Sequence, residues 1–316
     1  MGKQFRQIAW DEQLQSDWLE LVRLAIHEDL AEAGDWTTRA LVPAEALGRA
    51  AVVARRPGVM AGLPGAAAAL RRVDPGLRWS PAVQDGQAVE AGQRAAVIEG
   101  PCAGLLMAER LVLNLLGHLS GIATLTRRYV EAVAGTGARI YDTRKTTPGW
   151  RRLEKYAVRC GGGWNHRTGL FEAVLIKDNH LAAGAGDAAG RGAYTPAEAV
   201  RSARRFVQEH APGPLGDRMI VEVEVDTLQQ LEQVLPAEPD IVLLDNMRPA
   251  QLREAVGRRD GLNPRVELEA SGGVNLQTVR AIAESGVERI SVGALTHSAA
   301  ALDVGLDWLA GDVAES

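Results

Sequence analysis

Six short apolar segments in the second half of the chain, at 139–145, 173–179, 220–225, 240–246, 266–273 and 289–294, each end in charged residues or glycines, and helical stretches separate most of them. Strand, helix and strand at this spacing require a parallel sheet with right-handed crossovers. In a parallel α/β barrel every strand C-terminus opens onto one mouth. The early strands then bring cations to that mouth, the middle ones carboxylates, and the last two glycine turns. Six strands are fewer than the eight of a regular barrel. Either some strands are weak in sequence, or the barrel is incomplete and another domain covers the opening.

The first half reads differently. An apolar stripe of Trp18, Leu21, Val22, Ala25 and Ile26 predicts a helix over 17–30. From Gly48 to Glu99 short strands alternate with turn signals at Arg56-Pro57-Gly58, Leu63-Pro64-Gly65 and Asp74-Pro75-Gly76, which suggests a small α/β domain on an antiparallel sheet. The stretch 89–100 is similar to the hammerhead strands of biotinyl and lipoyl carrier domains. Those carry their cofactor on a hairpin lysine, and residues 73–107 contain none, so the stretch is read as structural. Apolar faces predict one helix over about 102–117 and another over about 122–134.

Later helices are marked by their caps. Thr195, Pro196 and Glu198 form a capping box that opens a helix reaching about His210. Asp226 to Gln229 opens another, and Asn275 a third that Gly286 ends. The Gly- and Ala-rich stretch 181–193 reads as a mobile surface loop near the mouth.

The formal net charge is −5, which does not favour long-range attraction to nucleic acid or an anionic membrane, so any cationic site must be local. No apolar run is expected to be long enough to span a bilayer, and no basic-then-apolar leader is read. Cys102 and Cys160 make no disulfide framework, and two thiols in a reducing cytoplasm is the expectation.

The segment ends divide by chemistry. Ser271-Gly272-Gly273 and Val292-Gly293-Ala294 each follow a strand and precede a helix, where glycine lets backbone N–H groups approach a phosphate. Arg144, Lys145, His166, Arg167 and Lys177 cluster at or near the ends of the first two strands. Arg grips carboxylates bidentately and Lys acts as a point charge, so the mixture suits a substrate with carboxylates and phosphates. Glu222 and Glu224 share one strand face, with Glu224 nearer the mouth. Asp245 ends the next strand. Carboxylates so placed can hold Mg²⁺ or ribose hydroxyls. For Glu222 a buried salt bridge to Lys145 or Lys177 competes with that reading. Arg110, beside Glu109, is either a salt-bridged surface residue or an arginine at a domain or subunit border. No zinc spacing, nucleophile elbow or Walker loop is present.

Taken together, Glu109-Arg110 with the stretch to Thr124, Asp142 to Gly149, Asn165-His166-Arg167, Leu175 to His180, Glu222 to Val225, Leu243 to Asn246 and Glu269 to Gly273 resemble the quinolinate phosphoribosyltransferase family over nearly the whole chain. The resemblance implies the type II phosphoribosyltransferase fold: an N-terminal α/β sandwich over 1–120, an incomplete parallel α/β barrel over 121–297, and a C-terminal helix within 298–316 packing back on the first domain. It implies transfer of phosphoribosyl from 5-phosphoribosyl-1-pyrophosphate (PRPP) to quinolinate with loss of CO2, in de novo NAD synthesis, with Mg²⁺ and no organic cofactor.

The resemblance also implies roles. Arg144, His166, Arg167 and Lys177 would line the quinolinate pocket, with Thr143 beside them. Arg110 would complete that pocket from the partner subunit of a cytoplasmic homodimer. Lys145 would sit near the pyrophosphate, Glu224 and Asp245 would hold ribose hydroxyls directly or through Mg²⁺, and Ser271, Gly272, Gly273 and the Val292-Gly293-Ala294 turn would take the 5-phosphate. Three rivals stand beside this: a related phosphoribosyltransferase on another carboxylated ring, a Schiff-base aldolase using Lys145 or Lys177, and a non-catalytic phosphosugar-binding protein.

Overall fold

The computed structural model describes residues 3–184, 194–211 and 213–310 of the 316. The stretch 185–193, most of the segment read as a mobile loop, lies outside the described residues. In chain order the strands are β1 (Leu47–Ala54), β2 (Gly58–Val59), β3 (Arg78–Pro81), β4 (Ala88–Val89), β5 (Arg94–Pro101), β6 (Arg139–Tyr141), β7 (Ala173–Ile176), β8 (Ile220–Val225), β9 (Ile241–Asp245), β10 (Glu267–Ser271), β11 (Arg289–Ser291) and β12 (Val304–Trp308). Two compact units result. One takes the N-terminal residues up to Gln7, Arg128–Lys145 and Trp164–Ala294; the other takes Ile8–Arg127, Thr146–Gly163 and the residues from Leu295 onward. This division interleaves along the chain.

In the first unit the six segments foreseen from sequence form one sheet, ordered β6-β11-β10-β9-β8-β7. Every neighbouring pair is parallel. Consecutive strands β6 and β7 lie at opposite edges, as in a barrel that does not close. Ile241, Val242, Leu243 and Leu244 are all buried, as expected of a parallel strand covered on both faces. Helices Pro196–His210 and Leu228–Val234 begin with capping boxes, Thr195 with Glu198 and Thr227 with Gln230; the second cap lies one residue beyond the predicted Asp226. Asn275 Oδ1 accepts from the N–H groups of Gln277 and Thr278 ahead of the helix Val279–Ala283. At the N-terminal strand ends, Phe5 forms a buried cluster with Ala173, Ile220 and Ile241.

The second unit holds a four-stranded antiparallel sheet, β12-β1-β5-β3, and the two-stranded β2-β4. Three expectations are corrected here. Leu63-Pro64-Gly65 is not a turn but the start of the helix Leu63–Val73. Proline is tolerated in a first turn, and a Cβ on Gly65 would stand 2.4 Å from Trp18 of the helix Glu12–Leu30.

The two helices expected over 102–117 and 122–134 are one 31-residue helix, Cys102–Ala132. Its small residues are contact sites instead of breaks: a Cβ on Gly121 would lie 2.1 Å from the Ala300 carbonyl oxygen, and one on Gly117 2.9 Å from that of Leu302. As one helix it is also long and apolar enough to cross a bilayer, with a window of mean hydropathy 1.3, although 56% of that window is buried inside the fold.

Among the described residues of 298–316 the expected C-terminal helix is not found. The described part of 298–316 runs without helix into β12, which pairs with β1 from Ala50↔Trp308 to Ala54↔Val304. Leu302, Val304, Leu306 and Trp308 alternate with a period of two, the repeat of a strand.

Candidate active site

A cavity of about 600 Å³ opens at the C-terminal ends of the parallel strands. Its lining includes Thr143, Arg144, Lys145, His166, Arg167, Lys177, Glu224, Asp245, Ser271, Gly272 and Gly273, all named from sequence. Lys177, Asp245 and Gly272, drawn from three strand ends, therefore share one space. Arg110, Val292, Gly293 and Ala294 are not among the lining residues. Arg110 sits on the helix Cys102–Ala132 in the other unit, its side chain 69% exposed and 3.8 Å from Glu109. Val292 is buried and donates its N–H to the Tyr141 carbonyl, while Ala294 begins the short helix Ala294–His297. The lining also holds Leu175, Leu243, Asn246, Glu269 and Ser291, which the sequence reading gave no role.

Period-two alternation explains the lining. In β8, Val221, Val223 and Val225 pack into the core while Glu222 and Glu224 share the other face. Glu224 pairs with Lys177 at the cavity. Glu222 lies one step deeper, fully buried, and its charged neighbour is His166, whose Nε2 stands 3.0 Å from Glu222 Oε2. Neither Lys145 nor Lys177 is its partner, so that expectation is corrected: the lysine ammonium ends at the level of Glu224. Glu269 in β10 and Arg289 and Ser291 in β11 continue this buried polar layer. Arg289 Nε donates to Glu269 Oε2 at 2.7 Å, and Ser291 donates to Glu269 Oε1.

The His166 ring is over-determined. Phe5 stacks on it at 4.3 Å, and Arg289 lies over both Phe5 and Tyr141. The His166 backbone N–H donates to Asp142 Oδ1 at 2.8 Å, and Asn165 Nδ2 donates to Asp142 Oδ2 at 2.6 Å. Gln7 and Asn165 exchange two hydrogen bonds that tie the N-terminal segment to this layer. Burial by itself favours a neutral His166 ring, but Glu222 and Glu269, the latter 3.5 Å away, outweigh it and raise the pKa above its ordinary value. The Arg167 N–H donates to Nδ1 at 2.8 Å, which opposes a second ring proton. The two carboxylates set the direction of the shift. Glu269, penalised by burial but flanked by His166 and Arg289, is held below its ordinary value. His166, Glu222 and Glu269 could geometrically embrace a metal ion. Arg289 already neutralises Glu269 at 2.7 Å, so a charge-balanced network accounts for the cluster.

The cavity also holds a group of cations. Arg167 Nη1 donates to the Ala173 carbonyl at 3.0 Å, while its buried Nε has no hydrogen-bond partner. Burial, and then the neighbouring Arg144 charge, lower the Arg167 pKa. Two guanidiniums facing one cavity repel until an anion separates them. Of the lining residues, four are Lys or Arg (144, 145, 167, 177) against three carboxylates (224, 245, 269), in a chain whose formal net charge is −5. Across the cavity, Gly272 and Gly273 have φ of +88° and +62°, and space beside Gly273 is open. Backbone N–H groups in such a turn form a concavity for an anion. Leu175 and Leu243 add apolar surface suited to a ring. The whole can hold a flat polyanion at one side and a phosphate at the other, with carboxylates between.

Comparison with known proteins finds matches over most of the chain. Residues 35–120 match the family model described as "Quinolinate phosphoribosyl transferase, N-terminal domain", and residues 122–307 match the corresponding C-terminal domain. The "Nicotinate-nucleotide pyrophosphorylase [carboxylating]" of Mycobacterium leprae is 46% identical over 290 residues, covering 91% of this chain and 96% of that protein. A "Probable nicotinate-nucleotide pyrophosphorylase [carboxylating]" of Bacillus subtilis is 38% identical over 92% of this chain and 93% of its own length. The structure of the nicotinate-nucleotide pyrophosphorylase from Francisella tularensis superposes with a TM-score of 0.84 at 34% identity, covering 96% of this chain and all of that one.

Proposed function

The chain belongs to the quinolinate phosphoribosyltransferase family, and from that premise we propose how its cavity works. It transfers phosphoribosyl from PRPP to quinolinate in NAD biosynthesis. The observation that carries the reading is the convergence of Arg144, Arg167, Lys177, Asp245 and Gly272 on one cavity with net cationic lining.

Arg144, Arg167 and His166 receive the two quinolinate carboxylates, and Leu175 and Leu243 flank the ring. Lys177 exchanges its contact with Glu224 for a substrate carboxylate, releasing Glu224 toward the ribose. Asp245 takes the other ribose hydroxyl, Ser271-Gly272-Gly273 the 5-phosphate, and Lys145 the pyrophosphate. Held in this way, the pyridine nitrogen lies in line with the anomeric carbon. The N–C bond forms as the bond to pyrophosphate breaks, and Glu224 and Asp245 offset the positive charge that develops on the ribose. The bond to the 2-carboxylate then breaks, CO2 leaves, and its electron pair stays on the ring carbon, stabilised by the adjacent quaternised nitrogen. A proton from solvent replaces it on the ring carbon.

Glu224 and Asp245 are hard oxygen donors, which fits Mg²⁺ entering with PRPP. When bound, the ion supplies charge neutralisation for the departing pyrophosphate. Arg110, exposed on its helix, completes the quinolinate pocket of a second copy, so the working unit is a homodimer. Both cysteines are free thiols, which supports a cytoplasmic setting.

The test is a product assay. Quinolinate labelled in its 2-carboxylate, with PRPP and Mg²⁺, should yield labelled CO2 and pyrophosphate in equal amounts, and nicotinic acid should yield no CO2. Pyrophosphate release without CO2 would point to a different ring, and no release would refute the reading.

A further inference from the structure

Asn246 follows Asp245 at the end of β9 with φ +53°, a left-handed backbone. Asparagine is among the few residues besides glycine that visit this region. Three contacts follow. Its Nδ2 donates to Asp245 Oδ2 at 2.6 Å. Its backbone N–H donates to the Ser271 carbonyl at 2.9 Å. Its Oδ1 occupies the space beside Gly272, where an added Cβ would lie only 2.2 Å away. Gly272 is itself left-handed, and Ser271 pairs in register with Asp245 across β9 and β10. Asp245, Asn246, Ser271 and Gly272 all line the cavity. Two left-handed turns on adjacent strands are thus keyed together by one side chain.

We propose that Asn246 is a positioning residue that holds the Asp245 carboxylate and the Gly272 turn at a fixed separation, so that the ribose hydroxyls and 5-phosphate of one PRPP molecule are met together. The assignment rests on the reading of Asp245 as a ribose ligand and of Gly272 as a phosphate ligand. Asn246 acts through those two groups and serves PRPP, not quinolinate. Glycine at 246 would keep the left-handed backbone without strain and remove only the amide. Aspartate would keep the shape, lose the donor and place a second negative charge beside Asp245.

The experiment compares Asn246→Gly, Asn246→Ala and Asn246→Asp with the wild type by steady-state kinetics in both substrates, by calorimetric binding of ribose 5-phosphate, and by thermal melting. In Asn246→Gly and Asn246→Ala the KM for PRPP and the Kd for ribose 5-phosphate should rise about tenfold, the loss expected for one hydrogen bond to a charged group. The KM for quinolinate should stay within about twofold. Asn246→Asp should be weaker still toward PRPP. Wild-type PRPP affinity in Asn246→Gly overturns the assignment, because the amide then serves only its own turn. A parallel rise in both KM values also overturns it, because the defect is then general. A wild type that turns over both substrates while Asn246→Gly matches it leaves the family reaction standing and removes only Asn246. A wild type that neither turns over PRPP nor binds ribose 5-phosphate removes the reading of the cavity, and this assignment with it.

Discussion

His166 Nε2 stands 3.0 Å from Glu222 Oε2 in a buried polar layer, and His166 lines the same cavity as Arg144 and Arg167. The groups around the ring come from every side: Glu222 on β8, Glu269 on β10, Arg289 on β11, Arg167 next in the chain, Asp142 on the backbone N–H and the Phe5 face. The layer holds the His166 ring in place at the cavity.

The pH behaviour follows from the two directions. A histidine whose folded pKa is raised gives stability that is complete below its unfolded value and is lost as pH rises through the folded one. The lowered Glu269 gives stability present above its unfolded value and lost as pH falls through the folded one. His166 and Glu269 are both charged between those limits. In NMR titration the His166 ring should titrate above the ordinary histidine value of about 6.5, and Glu222→Gln should move it down while weakening quinolinate binding on the alkaline side first. A wild-type ring titrating at or below the ordinary value would contradict this.

Glu224 carries a different kind of prediction. It meets Lys177 at the rim, so removing it leaves a half-exposed lysine and no buried charge. Glu224→Ala should therefore melt within a few degrees of the wild type. Turnover should fall by about 100-fold or more, the usual effect of deleting one group that stabilises developing charge. Melting curves beside kcat separate the two effects, and an active variant would remove Glu224 from the reaction.

The sheet was legible because parallel strands buried on both faces are short runs of Val, Ile and Leu, and their polar ends stand out. The cavity lining was legible for the same reason: charged residues at strand ends have nowhere else to go. What stayed hidden was the second polar row. Glu269, Arg289 and Ser291 sit inside strands at alternate positions, the same spacing as Glu222 and Glu224, and a period-two search of β10 and β11 would have exposed them. Phe5 could not have been read, since its partners lie more than 160 residues away and nothing local marks it. Asn246 was quoted in a motif, but its role depends on a backbone angle and on the absence of a Cβ at Gly272. The helix errors came from treating glycine as punctuation when a close approach required it.

Gly121 tests that last point. The helix Cys102–Ala132 passes so near the 300–302 segment that Leu302 N–H donates to the Gly117 carbonyl at 2.8 Å. Gly121→Ala improves helix propensity by about 1 kcal/mol, yet puts a methyl 2.1 Å from a backbone oxygen. The overpacking penalty of about 1–3 kcal/mol exceeds the gain, so the variant should melt several degrees lower, and Gly121→Val lower again. A stabilised Gly121→Ala would show that the segment is free to move aside.

Arg110 gives the sharpest test of the shared pocket. The residue is exposed in one copy of the chain and absent from that copy's cavity lining, whereas Lys177 is part of the lining. If each pocket takes Lys177 from one subunit and Arg110 from the other, Arg110→Ala and Lys177→Ala homodimers should each be nearly inactive. Unfolding and refolding the two together should restore activity, because one pocket of each hybrid then contains both native side chains. Random pairing makes about half of the dimers hybrid, each with one intact pocket of two, so activity should approach a quarter of the wild type by random-pairing arithmetic for a symmetric dimer. Hybrids shown by mass to form, yet without activity, would place Arg110 outside the partner's pocket and return it to the role of a surface charge beside Glu109.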